Sequence, residues 1–337
     1  MSLGELSTVL VWGAVTAYAV AFVAFAADLA RRAEAAARPA RRAADEASGA
    51  ETTLGGGAAS APGHTATALA PDPDAGVPGR WSGRALGIAM ATTTLGLALH
   101  VAGAVLRGVA AGRVPWANMY EFALIGTLAA VATFRILCLR RDVRFLGTPV
   151  LGLSVIALGL GLAAFYVPAD AVEPALQSYW LVIHVSIATI ATGVFTVGVA
   201  ASVLQLLRDS WENGSPRMVD PRWRVLAALP SARALEALSF RLNAVGFVLW
   251  TFTVMAGAIW AEHAWGRYWG WDPKEVWSFV VWVVYAAYLH ARTTRGWSGR
   301  RAAWFVVVGY ATVIFNFTGV NLLFGGLHAY SGLPVDE

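Results

Sequence analysis

Residues 180–206 read WLVIHVSIATIATGVFTVGVAASVLQL, an unbroken run without a single Asp, Glu, Lys or Arg. At a rise of ~1.5 Å per residue, about 20 residues carry a helix across the ~30 Å hydrocarbon core of a bilayer, so this run has length to spare. It lacks the apolar–polar alternation of a barrel strand. A helix, which satisfies every backbone N–H and C=O within itself, is the element such a run can form in lipid.

Working outward, comparable runs lie at 6–27, 85–106, 117–138, 145–166, 240–261, 275–292 and 302–324. The chain has 337 residues, 57% hydrophobic and 14% charged, which is too apolar for a soluble protein of this size. The reading is an all-α polytopic membrane protein of about eight transmembrane helices. The first run has neither a basic segment before it nor a small-residue cleavage site after it, so it is read as a retained span rather than a signal peptide. Three parts follow: a first transmembrane helix at 1–30, a flexible cytoplasmic linker at 31–84 rich in Ala, Gly, Pro and Thr, and a transmembrane core at 85–337. His64, inside that linker, is read as inert.

Arginines set the orientation. Arg31, Arg32, Arg38, Arg41 and Arg42 follow the first span, Arg140, Arg141 and Arg144 the third, Arg208, Arg217, Arg222 and Arg224 the fifth, and Arg292, Arg295, Arg300 and Arg301 the seventh. The positive-inside rule makes all four loops cytoplasmic, so the alternate loops and both termini face outward. Arg107 and Arg113 break the pattern on the outer side, where either an anionic partner or plain solvation accounts for them. Lys274 is the only lysine in the chain. Cys138 is the only cysteine, which excludes an internal disulfide or CxxC pair and assigns any thiol chemistry to another protein. No internal repeat, phosphate-binding glycine loop or nucleophile elbow is present.

Histidine sorts by depth. His184 lies about one turn into the fifth span near its outer end, and His328 just past the outer end of the eighth, so the two can share an outer site. His290 belongs to an inner site, roughly 22 Å below the start of the seventh span. His100, in the outer half of the second span, lies roughly 15 Å from the depth of His290, which argues against their pairing on one metal. His100 and His263 are read as structural, and a second inner ligand is assigned to another chain.

Between the sixth and seventh spans, Trp260–Trp282 reads WAEHAWGRYWGWDPKEVWSFVVW, with six tryptophans. Some of this is ordinary helix grammar: Asp272 as N-cap, Pro273 at the first helical position and Glu275 completing a capping box. Interfacial tryptophans also anchor helices. Yet Trp265, Trp269, Trp271 and Trp277 exceed what one helix end requires, and Gly266 and Gly270 let the backbone approach a planar ligand. Stacking faces flanked by imidazoles suit haem.

The run Trp265–Trp277 resembles the WWD signature of the haem-handling membrane proteins of cytochrome c maturation. The likeness extends to Pro174-Ala175-Leu176-Gln177-Ser178 with Trp180 and His184, to Tyr288-Leu289-His290, to Gly319–Leu323 leading to Gly326-Leu327-His328, and to Pro115, Asn118, Tyr120 and Glu121. The nearest type is CcsA/ResC, also named CcsB in some bacteria. The resemblance implies system II cytochrome c maturation at the cell (plasma) membrane, and a cytochrome c synthase (haem lyase) activity shared with a ResB-type partner. It implies haem b as substrate and transient ligand, with iron held by His184 and His328 at an outer site and by His290 within the membrane. Trp265, Trp269, Trp271, Asp272 and Trp277 complete the haem-binding set. Apocytochrome c is the implied protein substrate, a thiol-reducing thioredoxin-like protein an indirect partner, and nucleic acid none. Arg107, Arg113 and Lys274 stand as candidates for the haem propionates. Two alternatives are a haem donor that passes its cargo to a carrier protein and a membrane transporter or structural subunit without haem.

Overall fold

In the computed structural model, residues 1–53, 83–169 and 178–328 are described. Residues 54–82 of the expected linker, His64 among them, and Pro174–Gln177 of the resemblance lie outside the described residues. The described chain is helical, with no strand: α1 (Leu3–Thr53), α2 (Arg84–Ala111), α3 (Met119–Arg140), α4 (Gly147–Ala164), α5 (Tyr179–Glu212), α6 (Ala232–Trp265), α7 (Pro273–Thr294), α8 (Arg300–Phe317) and the short α9 (Gly319–Leu323). Among the described residues seven helices are long and apolar enough to cross a membrane. The eighth expected span, α7, has 22 residues but is less apolar and is not among these seven. The first helix continues beyond the boundary expected at residue 30, so residues 31–53 are helical.

Local chemistry explains the ends. Asn118 caps α3 by accepting from the Glu121 N–H, Ser178 caps α5 through Trp180 N–H, and Ser231 caps α6 through Ala234 N–H. Inside the spans, hydroxyls return to carbonyls of their own helices: Thr93 to Ala89, Thr127 to Ala123, Ser154 to Val150 and Thr189 to Val185. No polar group of these side chains is left bare in lipid.

Packing uses small residues where helices cross. A Cβ on Gly193 of α5 would lie 2.6 Å from the Ala129 carbonyl carbon of α3, so only glycine allows that approach. One core joins α1 to α6 around Tyr18, Phe25, Phe134 and Leu151; a second joins α5 to α8, with Phe195 stacked on Tyr285 at 3.9 Å between ring centroids. Successive spans run in alternate directions. The starts of α3, α5 and α7 therefore gather at one end of the bundle with the ends of α2, α4, α6 and α8.

Candidate functional site

At that end, His184 of α5 and His328 after α9 line the same two adjoining clefts, together with Lys274 and Ser278 of α7 and Thr253 of α6. Each ring is held by one nitrogen. His184 Nδ1–H donates to the Thr253 carbonyl at 2.9 Å, and His328 Nδ1–H donates to Asp272 Oδ2 at 2.7 Å. Both acceptors lack a proton to give, so in each neutral ring Nε2 carries the lone pair. An imidazole with Nδ1–H fixed by a carbonyl or carboxylate is the usual arrangement of a metal-binding histidine.

The His184 position depends on Gly257. A Cβ there would lie 2.8 Å from His184 Cε1 and 3.0 Å from Nδ1, so the missing side chain admits the ring against α6. Trp260, one turn further on, is fully buried and lies parallel to His184, with ring centroids 6.0 Å apart and planes at 4°. It also meets His328 edge-on at 5.5 Å. Trp260 thus neighbours both imidazoles, and it was not among the four tryptophans singled out from the sequence. Its place one turn from Gly257 on α6 was the available signal.

The other tryptophans divide. Trp265 packs edge-on against Trp260 and His328 at 4.7 and 4.9 Å. Trp269 lines the cleft and meets Trp271 at 90°. Trp271 is 74% exposed and adopts φ 59°, a left-handed backbone that a bulky residue rarely takes. Trp277 packs on Phe315 of α8 at 4.3 Å. Gly266 closes α6 in the left-handed conformation at φ 69°, and Gly270 lies against the Arg267 guanidinium.

Asp272 has two jobs. It caps α7 in a full capping box with Glu275, whose Oε2 accepts from the N–H of Asp272 and of Gly270. The same carboxylate receives His328 Nδ1–H and the Leu327 N–H, stapling the segment after α9 to the start of α7. Burial pushes this carboxyl up, but the hydrogen bonds from His328, Leu327 and Lys274 outweigh it and hold it below the usual carboxylate range. It is therefore ionised at neutral pH and fixes the His328 tautomer.

The remaining sequence candidates fall elsewhere. Arg107 and Arg113 find their anion within the chain: Glu121 binds Arg107 Nε at 2.8 Å and Arg113 Nη1 at 2.6 Å, and all three lie buried or nearly so. Arg107 Nη2 also reaches the Val167 carbonyl. His100 is fully buried between Tyr18 Oη at 3.2 Å and the Leu124 carbonyl at 2.9 Å, a structural position. His263 is exposed, with Nδ1 against the Ile259 carbonyl and Glu262. His290 lies near the far end of α7 with its side chain exposed.

Comparison with known proteins fits this geometry. The family described as "Cytochrome C assembly protein" matches residues 116–328, which hold every residue of the cleft. A cytochrome c biogenesis protein CcsA of Synechococcus sp. (strain CC9605) is 37% identical over 256 residues, covering 69% of this chain and 83% of the relative. CcsA of Synechococcus sp. (strain CC9311) is 37% identical over 270 residues, 72% and 86% of the two chains. CcsA of Chlamydomonas reinhardtii is 36% identical over 227 residues, 65% of this chain and 61% of the relative. Cytochrome c differs from its apoprotein by attached haem, so a part in its assembly implies haem handling and involves apocytochrome c. A multi-pass helical bundle with two pinned imidazoles beside a tryptophan loop, matched in family and in relatives over most of its length, belongs to the cytochrome c assembly protein family as a CcsA-type cytochrome c biogenesis protein.

Proposed function

We propose that this protein presents haem b at the cleft, with iron between His184 and His328, to the CxxCH segment of apocytochrome c. The observation that carries the reading is the pair of Nδ1-anchored imidazoles on one cleft, each with Nε2 left to bind iron. The donor set suits iron porphyrin: two imidazoles, a buried indole beside both and further tryptophans around them.

Covalent attachment adds each cysteine S–H across a haem vinyl C=C, so nothing leaves and no dedicated acid or base is demanded. The task of the chain is to position the vinyls and hold the iron until the substrate histidine displaces a protein ligand. Trp265, Trp269, Trp271 and Trp277 supply aromatic surface around that position, and Asp272 orients His328.

Cytochrome c synthase (haem lyase) activity is shared with a ResB-type membrane partner. His290, exposed on α7, binds haem within the membrane, and the partner supplies the opposing ligand. The cleft faces outward from the plasma membrane, because Arg140, Arg141, Arg144, Arg300 and Arg301 mark the opposite end. A thioredoxin-like reductant keeps the apocytochrome cysteines as thiols.

The test is the complex of this chain with its partner, purified with bound haem. His184→Ala and His328→Ala each convert a six-coordinate spectrum to a five-coordinate one at the outer site and abolish cytochrome c assembly. Wild-type spectra and assembly in both variants refute the ligand pair.

A further inference from the structure

We infer that Lys274 is the cation that receives a propionate of the bound porphyrin, and so sets which edge of the ring faces the protein; this rests on the haem reading of the cleft. Three cations at this end of the bundle were candidates for an anionic ligand. The structure removes two, since the single carboxylate of Glu121 occupies both Arg107 and Arg113. Arg267, in the loop, is exposed to solvent.

Lys274 differs from all of them. It lines both clefts with His184 and His328, and its Nζ donates to two neutral acceptors, the Asn316 carbonyl at 2.7 Å and Asn321 Oδ1 at 2.8 Å. An ammonium has three hydrogens, so one remains. The neighbouring carboxylates are held in other directions: Asp272 by the N–H groups of Lys274 and Leu327 and by His328, and Glu275 through Oε2 by two backbone N–H groups, its Oε1 being left without a hydrogen-bond partner. Among the described residues no carboxylate stands within ion-pair distance of the Lys274 ammonium. A largely enclosed cation with no carboxylate in direct contact is costly, and the charge of Asp272 acts on it only from a distance.

A second observation on the same wall points to the same missing group. Trp260 Nε1 is a buried donor without a hydrogen-bond partner, and Trp260 lines the cleft with Lys274. Buried donors are nearly always satisfied, so this indole N–H calls for an acceptor that the wall does not place within its reach. A carboxylate supplies that acceptor and a negative charge for Lys274, in charge-assisted bonds stronger than neutral ones. The two propionates of protoporphyrin share one edge, and the vinyls sit on the two pyrroles away from it. Seating the propionate edge at Lys274 turns the vinyl-bearing pyrroles away from that wall, toward an incoming thiol.

The experiment titrates the haem-depleted complex of this chain and its partner with iron protoporphyrin IX and with its dimethyl ester, in which both propionates are uncharged, and reads Kd from the Soret band. The wild-type complex binds the free acid at least about tenfold more tightly than the ester. Lys274→Met removes the preference by weakening the free acid alone, and Lys274→Arg keeps most of it. Equal binding of the two porphyrins by wild type, or an undiminished preference in Lys274→Met, overturns the inference; the wild-type arm decides even if the variant does not fold. A wild-type complex that binds neither porphyrin overturns the haem reading and this inference with it.

Discussion

Gly257→Ala separates ligand geometry from fold stability. The added methyl would start 2.8 Å from His184 Cε1, against an optimum of about 3.5–4.0 Å between carbons, so ring and helix must part by roughly 0.7–1.2 Å. Metal–ligand distances tolerate about 0.2 Å, so a shift of that size takes Nε2 out of range of an iron held by His328. The same shift stretches the 2.9 Å bond to the Thr253 carbonyl beyond hydrogen-bonding distance, which costs about 1–3 kcal/mol. Alanine in a helix interior returns about 1 kcal/mol relative to glycine. The expected net loss of stability is therefore small, about 0–2 kcal/mol, while His184 is lost as a ligand. Thermal unfolding and haem spectra of the same detergent-solubilised complex check both halves. A variant that keeps six-coordinate outer haem refutes the reasoning, and so does one that fails to fold.

Three further outcomes follow from positions away from the cleft. Glu121→Gln removes the buried carboxylate that Arg107 and Arg113 share, and stability is expected to fall by about 3–5 kcal/mol; a thermal midpoint within a degree or two of wild type contradicts the buried triad. His100→Ala strips the Tyr18 hydroxyl of its buried acceptor, costing about 1–3 kcal/mol with the haem spectrum unchanged, and a spectral change at unchanged stability reverses that assignment. His290→Ala, on an exposed face, leaves the stability of this chain within about 0.5 kcal/mol while lowering haem in the complex with its partner. Undiminished haem there rules His290 out as a ligand.

Lipid leaves few choices, so the order of the helices and the end at which each histidine falls were legible in the sequence. Runs of apolar residues give helix after helix, their order alternates direction, and His184 and His328 fall at one end while His290 falls at the other. The capping box at Asp272 was equally legible, since Asp-Pro-Lys-Glu is a local signal. What escaped was whatever depends on helix rotation. The spacing of α6 does not reveal that Gly257 and Trp260 face α5, and with near-uniform hydrophobicity around each span there is no polar face to betray the answer. Glu121 was visible as a residue but not as the partner of two arginines, because the triad joins α2, α3 and the loop between them. Of the eight spans drawn from the sequence, seven are long and apolar enough among the described residues, and α7 is the one that is long enough but less apolar.

The two imidazoles are tied to different helices. His184 is referenced to the α6 backbone through Thr253 and Gly257, and His328 to the first turn of α7 through Asp272. Their separation is therefore set by the connection between α6 and α7, which is the tryptophan loop itself. Gly266 in the left-handed conformation ends α6 at one side, and Glu275 draws the Gly270 and Asp272 N–H groups onto α7 at the other. The loop is thus a spacer as well as an aromatic surface. This reconciles the helix-cap and ligand-site readings of Asp-Pro-Lys-Glu: the cap makes the start of α7 rigid, and that rigidity is what allows a carboxylate at its first turn to aim a histidine. Lys274, two residues after the N-cap, shares the rigidity, so the proposed iron ligand and the proposed anion partner are held in one frame.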